Sequence, residues 1–283
     1  MLTPAMHSLV NSLLSAGHEM RPLRNDIGMF TESGGTIGWM IKPDAAVVID
    51  TQFPVQAGHL IEEIQKQTHA PIEYLINTHH HGDHTAGNIA FKGLAKKIVA
   101  HTNSKVNQKN AAVSRGTEDK QLYPDTLFDD SWSAKVSGEE IDIHYFGAAH
   151  TNGDGIIHFK NANVAHLGDL VFNRRFPYID IGAGASIENW ITVLEKINNL
   201  FDNDTMMICG HADNGHDVLI GKEDVLAFRN YLDQLLVVVG KEIKAGKSEE
   251  EIMAIETIAG APEWKGKGIE RSLSAAYKEL TAQ

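Results

Sequence analysis

The stretch from Ile72 to His84 constrains this chain more than any other. Ile72-Glu73-Tyr74-Leu75-Ile76 has the character of a short buried strand, and it passes directly into Asn77-Thr78-His79-His80-His81-Gly82-Asp83-His84. The loop that follows a strand is where layered α/β proteins gather their ligand-binding groups. In extended chain, residues i and i+2 project to the same side, so His79 and His81 can converge on one cation. Gly82 is expected to turn the chain so that Asp83 and His84 face a second. His80, between two such ligands, is expected to point the other way and to be structural. Neutral imidazole and carboxylate suit zinc, at about 2.0–2.2 Å.

Three more apolar runs end in a residue able to bind a metal: Tyr145-Phe146-Gly147-Ala148-Ala149-His150, Val164-Ala165-His166-Leu167-Gly168-Asp169 and Met206-Met207-Ile208-Cys209-Gly210-His211. Each alone is weak, because a single histidine after a strand is more often capped or solvated. Between them the pattern predicts strands at Ile27–Thr31, Thr36–Lys42, Ala45–Asp50, Ile98–His101, Gly155–Phe159, Asn163–Leu167 and Thr205–Cys209. Leu127–Phe146 alternates strand and turn. Helices are predicted at Val55–Thr68, Ala86–Phe91, Asn103–Ser114 and Ser186–Leu200, the last with Ser186 as N-cap, and from Gly221 onward. Strands followed by helices in each half predict an α/β chain with two sheets inside and helices outside. One domain is expected over 22–283, with a helical C-terminal region and an N-terminal arm at 1–21.

Composition narrows the partners. Histidine, the commonest metal ligand, occurs 15 times in 283 residues. The formal net charge of −12 argues against a nucleic-acid partner. No apolar run approaches the roughly 20 residues a membrane-crossing helix needs. The apolar patch Ser8–Leu14 lacks a basic segment ahead of it and is not read as a signal peptide. The single cysteine, Cys209, permits no intrachain disulfide and reads as a small buried residue, so the compartment stays open between cytoplasm and an exported location.

Taken together, these motifs resemble, from about Pro22 to Asp213, the metallo-β-lactamase superfamily of αββα hydrolases. The resemblance implies a four-layer αββα sandwich with two zinc ions per chain. It assigns His79, His81 and His150 to the first ion, Asp83, His84 and His211 to the second, and a bridging position to Asp169. Asp50 matches a family acid that ends an early strand and supports the metal-binding loop. Asp83 and Asp169 are the expected catalytic groups, orienting a metal-activated water and moving its proton. Glu32-Ser33-Gly34-Gly35, with Trp39, matches a mobile flap over the site. Asn173, Arg174 and Arg175 could reach an anionic group of a small-molecule substrate. His144, His158, His166 and His216 are expected to be supporting or surface residues. One departure stands out: the β-lactamases that carry a cysteine ligand have it at the position of Asp169 and a substrate-binding lysine three residues later, where this chain has Phe172.

The leading expectation is a dizinc hydrolase of an ester, thioester, lactone, lactam or phosphoester. Two alternatives remain: an iron sulfur dioxygenase of the same superfamily, with its iron on His79, His150 and Asp169, and a non-catalytic metal-binding module.

Overall fold

The computed structural model describes residues 17–282. Seven strands form the first sheet in sequence order: β1 (Glu19–Arg24), β2 (Ile27–Thr31), β3 (Ile37–Ile41), β4 (Ala46–Ile49), β5 (Ile72–Ile76), β6 (Ala95–His101) and β7 (Thr126–Phe128). β1 to β4 are antiparallel neighbours, whereas β4 to β7 run parallel. Parallel neighbours need crossovers. Helix α1 (Pro54–Gln67) joins β4 to β5, and α2 (Thr102–Arg115) lies between β6 and β7.

The second sheet contains β8 (Ser131–Val136), β9 (Glu139–His144), β10 (Ile156–Phe159), β11 (Val164–His166), β13 (Met206–Ile208) and β15 (Leu219–Ile220), in the order β15-β13-β11-β10-β9-β8. The short pair β12 (Phe172–Asn173) and β14 (His211–Ala212) stands apart from it. Helix α3 (Ile187–Leu200) joins the β12 region to β13, with the Ser186 hydroxyl accepting from the Asn189 N–H at 3.2 Å. Helices α4 (Lys222–Lys244), α5 (Glu249–Met253) and α6 (Ile269–Thr281) follow β15.

Strand periodicity decides what each face meets. In β4, Val47 and Ile49 face the second sheet, where they join Ile141, Ile143, Ile157 and Phe159 in the core between the sheets. Ala46 and Val48 face outward, against Ala57, Leu60 and Ile64 of α1. On the outer face of the second sheet, Ile156, Ala165 and Met207 pack against Trp190 of α3, Phe228 and Leu232 of α4, and Leu273 of α6. The result is the four-layer αββα sandwich that the alternation of strands and helices predicts.

The expected arm divides at the edge of the description. Residues 1–16 lie outside the described residues, while Glu19–Arg21 belong to β1 and pair with Thr31, Phe30 and Met29 of β2. Its polar, half-exposed sequence hid that strand, because an edge strand need not alternate cleanly.

Candidate metal centre

Seven candidate ligands, with Asp50 beside them, meet at the carboxyl ends of the inner strands. His79 to His84 follow β5, Asp50 follows β4, Asp169 follows β11, His211 follows β13 in a turn through Gly210, and His150 comes from the loop between β9 and β10. Two groups of candidate ligands form there: His79, His81, His150 and Asp169, and beside it Asp83, His84 and His211. His81 Nδ1 lies 3.0 Å from His79 Nε2 and 2.9 Å from His150 Nε2. Asp169 Oδ2 is 3.9 Å from His79 Nε2 and 3.6 Å from His150 Nε2. In the second group His211 Nε2 is 3.0 Å from Asp83 Oδ2, and His84 Nε2 is 3.9 Å from that oxygen. Asp169 reaches this group too, with Oδ1 3.1 Å from His84 Nε2 and Oδ2 3.5 Å from His211 Nε2.

These spacings, from 2.9 to 3.9 Å, bracket those of ligands on one cation. A tetrahedral zinc with bonds of about 2.0–2.1 Å sets its ligands about 3.3 Å apart. His84 Nε2 and Asp169 Oδ1 are fully buried and find no hydrogen-bond partner among the described residues, despite their 3.1 Å approach. Buried polar atoms of this kind need an explanation, and a bound cation supplies one.

The outer nitrogens settle which way each ring serves. His84 Nδ1 lies 2.7 Å from Asp50 Oδ2, His81 Nε2 lies 2.9 Å from Asp180 Oδ2, and His150 Nδ1 lies 2.7 Å from the Tyr178 carbonyl. Each outer nitrogen therefore donates, which in a neutral ring leaves the inner nitrogen with its lone pair. His79 follows from one further step. The Thr78 hydroxyl donates to Asp50 Oδ2 at 2.7 Å, so its oxygen accepts from His79 Nδ1 at 3.0 Å. Asp50 thus fixes two rings, His84 directly and His79 through Thr78, and its other oxygen accepts from the Thr78 N–H at 2.8 Å.

The same packing sets the charges. Burial pushes His79 well below the usual histidine value, with His84 adding to the effect. Burial, with His81, takes His150 down to about 3. Burial opposes a proton on His84 as well, yet the Asp169 and Asp50 carboxylates beside it carry that group well above its usual value. Burial works against ionised Asp169, but His211 and His84 hold it well below the carboxylate range. Asp83 is lowered to about 2 against burial by the His211 hydrogen bond and by His84. Ionised carboxylates and neutral imidazoles are the states that metal ligands require, and a metal taking the place of the His84 proton would release it.

Close backbone approach holds the loops in register. A Cβ on Gly210 would stand 1.9 Å from Asp169 Oδ1, and one on Gly35 would stand 2.1 Å from His84 Cε1. Gly82, by contrast, is not the turn the sequence predicts. It opens a single helical turn, Gly82–Thr85, outside the left-handed region, and an added Cβ would meet only Arg115 Nη1 at 3.7 Å. His80 joins neither of the two groups, although it forms a third cluster with His81 and Asp180. It is buried on the cleft wall with Nε2 3.6 Å from Asp180, and burial and His81 lower it to about 3.

The centre opens onto a cleft of about 840 Å³ lined on one side by His81, Asp83, Asp169 and His211 and on others by Phe53, Phe172, Phe176 and Tyr178. Two expectations for it need correcting. Glu32–Gly35 is not a flap over the cleft. The Gly35 N–H donates to the Asp83 carbonyl at 3.0 Å and the Gly35 carbonyl accepts from Gln52 at 2.7 Å, which pins the loop behind His84. Trp39 is buried with Phe30 and Ile37 on the helix side of the first sheet. Nor do Asn173 and Arg174 reach substrate. Asn173 donates to the Asp217 carbonyl, and Arg174 pairs with Asp224 at 2.6 Å and lies over the Trp264 ring. Arg175 alone of the three lines the cleft. Phe172 stacks on His211 with ring centroids 5.6 Å apart. Among the other histidines, His166 is buried beneath the first sheet and lies 3.0 Å from the Thr36 carbonyl.

Two sheets that enclose a histidine and aspartate centre at their strand ends define a class of layered metalloproteins. The sequence comparisons supply the family: the description "Metallo-beta-lactamase superfamily" matches residues 31–211, more than half the chain. The chain belongs to the metallo-beta-lactamase superfamily. It is 23% identical over 202 residues to metallo-beta-lactamase IND-1 of Chryseobacterium indologenes, covering 67% of this chain and 80% of that one. It is 22% identical over 176 residues to metallo-beta-lactamase type 2 of Elizabethkingia meningoseptica, covering 62% and 68%. Among solved structures, metallo-beta-lactamase IND-7 superposes with a TM-score of 0.60 at 21% identity, covering 75% of this chain and 98% of that one. A double mutant of the sec-alkyl sulfatase PisA1 superposes with a TM-score of 0.70 at 14% identity, covering 94% of this chain and 50% of that one.

Proposed function

We propose that this protein is a hydrolase dependent on two zinc ions, one on His79, His81 and His150, the other on Asp83, His84 and His211, with Asp169 shared between them. The observation that carries the reading is the set of four rings whose outer nitrogens are engaged by Asp50, Thr78, Asp180 and the Tyr178 carbonyl, so that each ring, once neutral, turns a lone pair toward the centre. Bound there, the ions would polarise the scissile group and bring the pKa of a water from 15.7 toward about 7.

The chain's own groups do the rest. Asp83, on the cleft side of the centre and ionised down to about pH 2, can accept a hydrogen bond from the attacking water and take up its proton. Asp169, buried between the two groups, holds them at fixed separation. Phe172, with Phe53 and Phe176, excludes water from one wall. The bond attacked is an ester, thioester, lactone, lactam or phosphoester. β-Lactams are disfavoured within that set, because the position at which the resemblance places a substrate-binding lysine is the buried Phe172.

Metal content of protein purified without added metal, by elemental mass spectrometry, is the test. About two zinc per chain is expected, and Asp83→Ala should lose one of them together with turnover on a panel of these bonds. About one iron per chain, or full turnover in Asp83→Ala, would overturn the reading.

A further inference from the structure

The arginines of this chain divide sharply. Arg21, Arg24, Arg174 and Arg229 each pair with a carboxylate: Asp217, Asp204, Asp224 and Glu195. The other three of the seven in the sequence, Arg115, Arg175 and Arg271, make no ion pair and no side-chain hydrogen bond among the described residues. All three line the cleft of the candidate centre, and so do Lys120 and Lys267. They reach it from unrelated places: the last residue of α2, the loop after β12 and the first turn of α6. With 37 acidic residues against 25 lysines and arginines, partners are not scarce. The acids on the cleft wall are engaged elsewhere: Asp180 with His81, Asp83 with His211, and Asp169 among the histidines.

We infer that the cleft selects substrates in which an oxyanion group (carboxylate, sulfate or phosphate) is joined to an apolar body, with Arg115 and Arg271 as the principal anion-binding pair and Arg175 as a third contact. This deepens the hydrolase reading and rests on it for the bond that is cut. Arg115 lies beside the centre, with Nη1 3.7 Å from the point where a Cβ on Gly82 would stand, between His81 and Asp83 in the sequence. Arg115 and Arg271 line one cleft with Tyr178, His80 and His81. The Tyr178 ring in turn lies 5.3 Å from the ring of His81. The pair therefore shares its cleft with His81 of the first candidate group. Guanidinium is the planar fork that matches an oxyanion with two parallel hydrogen bonds, and leaving it unpaired in the free protein keeps that fork available. Phe53, Phe176 and Pro177 supply an apolar wall for the rest of the molecule. None of the three arginines stands at position 172, so the anion subsite is not the lysine site of the β-lactamases carried to a new chain.

Calorimetry on the metal-loaded protein tests this without depending on turnover. The probes are hexanoate, hexyl sulfate and hexyl phosphate, with hexanol as the neutral control. At least one anion is expected to bind at least tenfold tighter than hexanol, and the tightest names the head group. Added salt should weaken it. The double variant Arg115→Ala, Arg271→Ala should lose at least tenfold on that anion, with metal content and hexanol binding unchanged. Exposed arginines make this change safe for the fold. Anion binding no tighter than hexanol, or equal affinity in the double variant, would overturn the inference. Failure of the hydrolase reading shows separately, in the metal content.

Discussion

Replacing Asp50 by asparagine tests the centre without touching any residue proposed to meet an ion. The substitution adds no backbone strain, because Asp50 sits at φ 61°, a region that Asn tolerates. It removes no volume either. What it changes is the hydrogen-bond count. Asp50 accepts three bonds, from the Thr78 N–H, the Thr78 hydroxyl and His84 Nδ1, at 2.8, 2.7 and 2.7 Å. Asn offers one oxygen and one donor. If its oxygen stays on the Thr78 N–H, its NH2 confronts His84 Nδ1 and the hydroxyl, and both rings can shift to the tautomer that turns an N–H toward the metal. If the amide flips, its NH2 confronts the buried Thr78 N–H. Loss of such an outer partner costs about 10–100-fold in metal affinity, or about 1.4–2.7 kcal/mol. A buried donor left unpaired costs about 1–3 kcal/mol of fold stability. Chelator competition read by elemental analysis should show weaker retention of both ions, since His79 and His84 serve different groups. Wild-type retention of both would refute the assignment of the outer nitrogens as donors. Loss at one group alone would break the proposed relay through Thr78.

Three further outcomes follow from the packing. Gly35→Ala should cost about one metal equivalent by elemental analysis, because its Cβ would meet the immobile His84 ring at 2.1 Å, whereas Gly82→Ala should retain both. Trp190→Ala should lower unfolding free energy in urea by about 3–5 kcal/mol, since Trp190 is fully buried and its Nε1–H donates to the Leu170 carbonyl at 3.0 Å; a loss under 1 kcal/mol would mean that the core there repacks. Asp154 is raised from 3.8 to about 6, by burial working against its bonds from Thr151. A raised acid destabilises the fold once ionised, so its cost is absent below about pH 4 and complete above about pH 6. In metal-free protein Asp154→Asn should therefore gain on wild type by about 3 kcal/mol across that window, and a stability difference flat with pH would contradict the raised value.

Much of this architecture was legible because it rests on local periodicity. The apolar run Ala45–Ile49 read as a buried strand ending in Asp50, and spacing two residues apart placed His79 beside His81. Ser186 was readable as an N-cap because the signal lies within one helical turn. What escaped were partners set by tertiary contact. Asp180 supports His81 from 99 positions away and sits in an irregular loop with no period to mark it. Arg174 and Arg175 are neighbours in sequence, yet one is spent on Asp224 and the other faces the cleft, a difference only packing decides. Arg115 and Arg271 carried no signal at all, since a lone arginine at a helix end usually meets water. Gly82 attracted attention as a turn, while the glycines that matter sterically, Gly35 and Gly210, lay beside the motif's partners and not within it.

Each candidate group draws on both sheets: His79, His81, Asp83 and His84 belong to the first, and His150, Asp169 and His211 to the second. An ion at either group would thus act as a cross-link between the two halves of the chain, spanning, for example, the 69 positions from His81 to His150. Binding to the folded state alone stabilises it by mass action, and here that stabilisation falls on the seam along which the sandwich would otherwise part. Chelation should consequently raise amide exchange in β4, β5, β11 and β13 together, and not only in the loops that carry the ligands. Exchange confined to those loops would show that the seam holds without metal. If the strands open together, zinc supply would govern how long the folded protein survives as well as what it can catalyse.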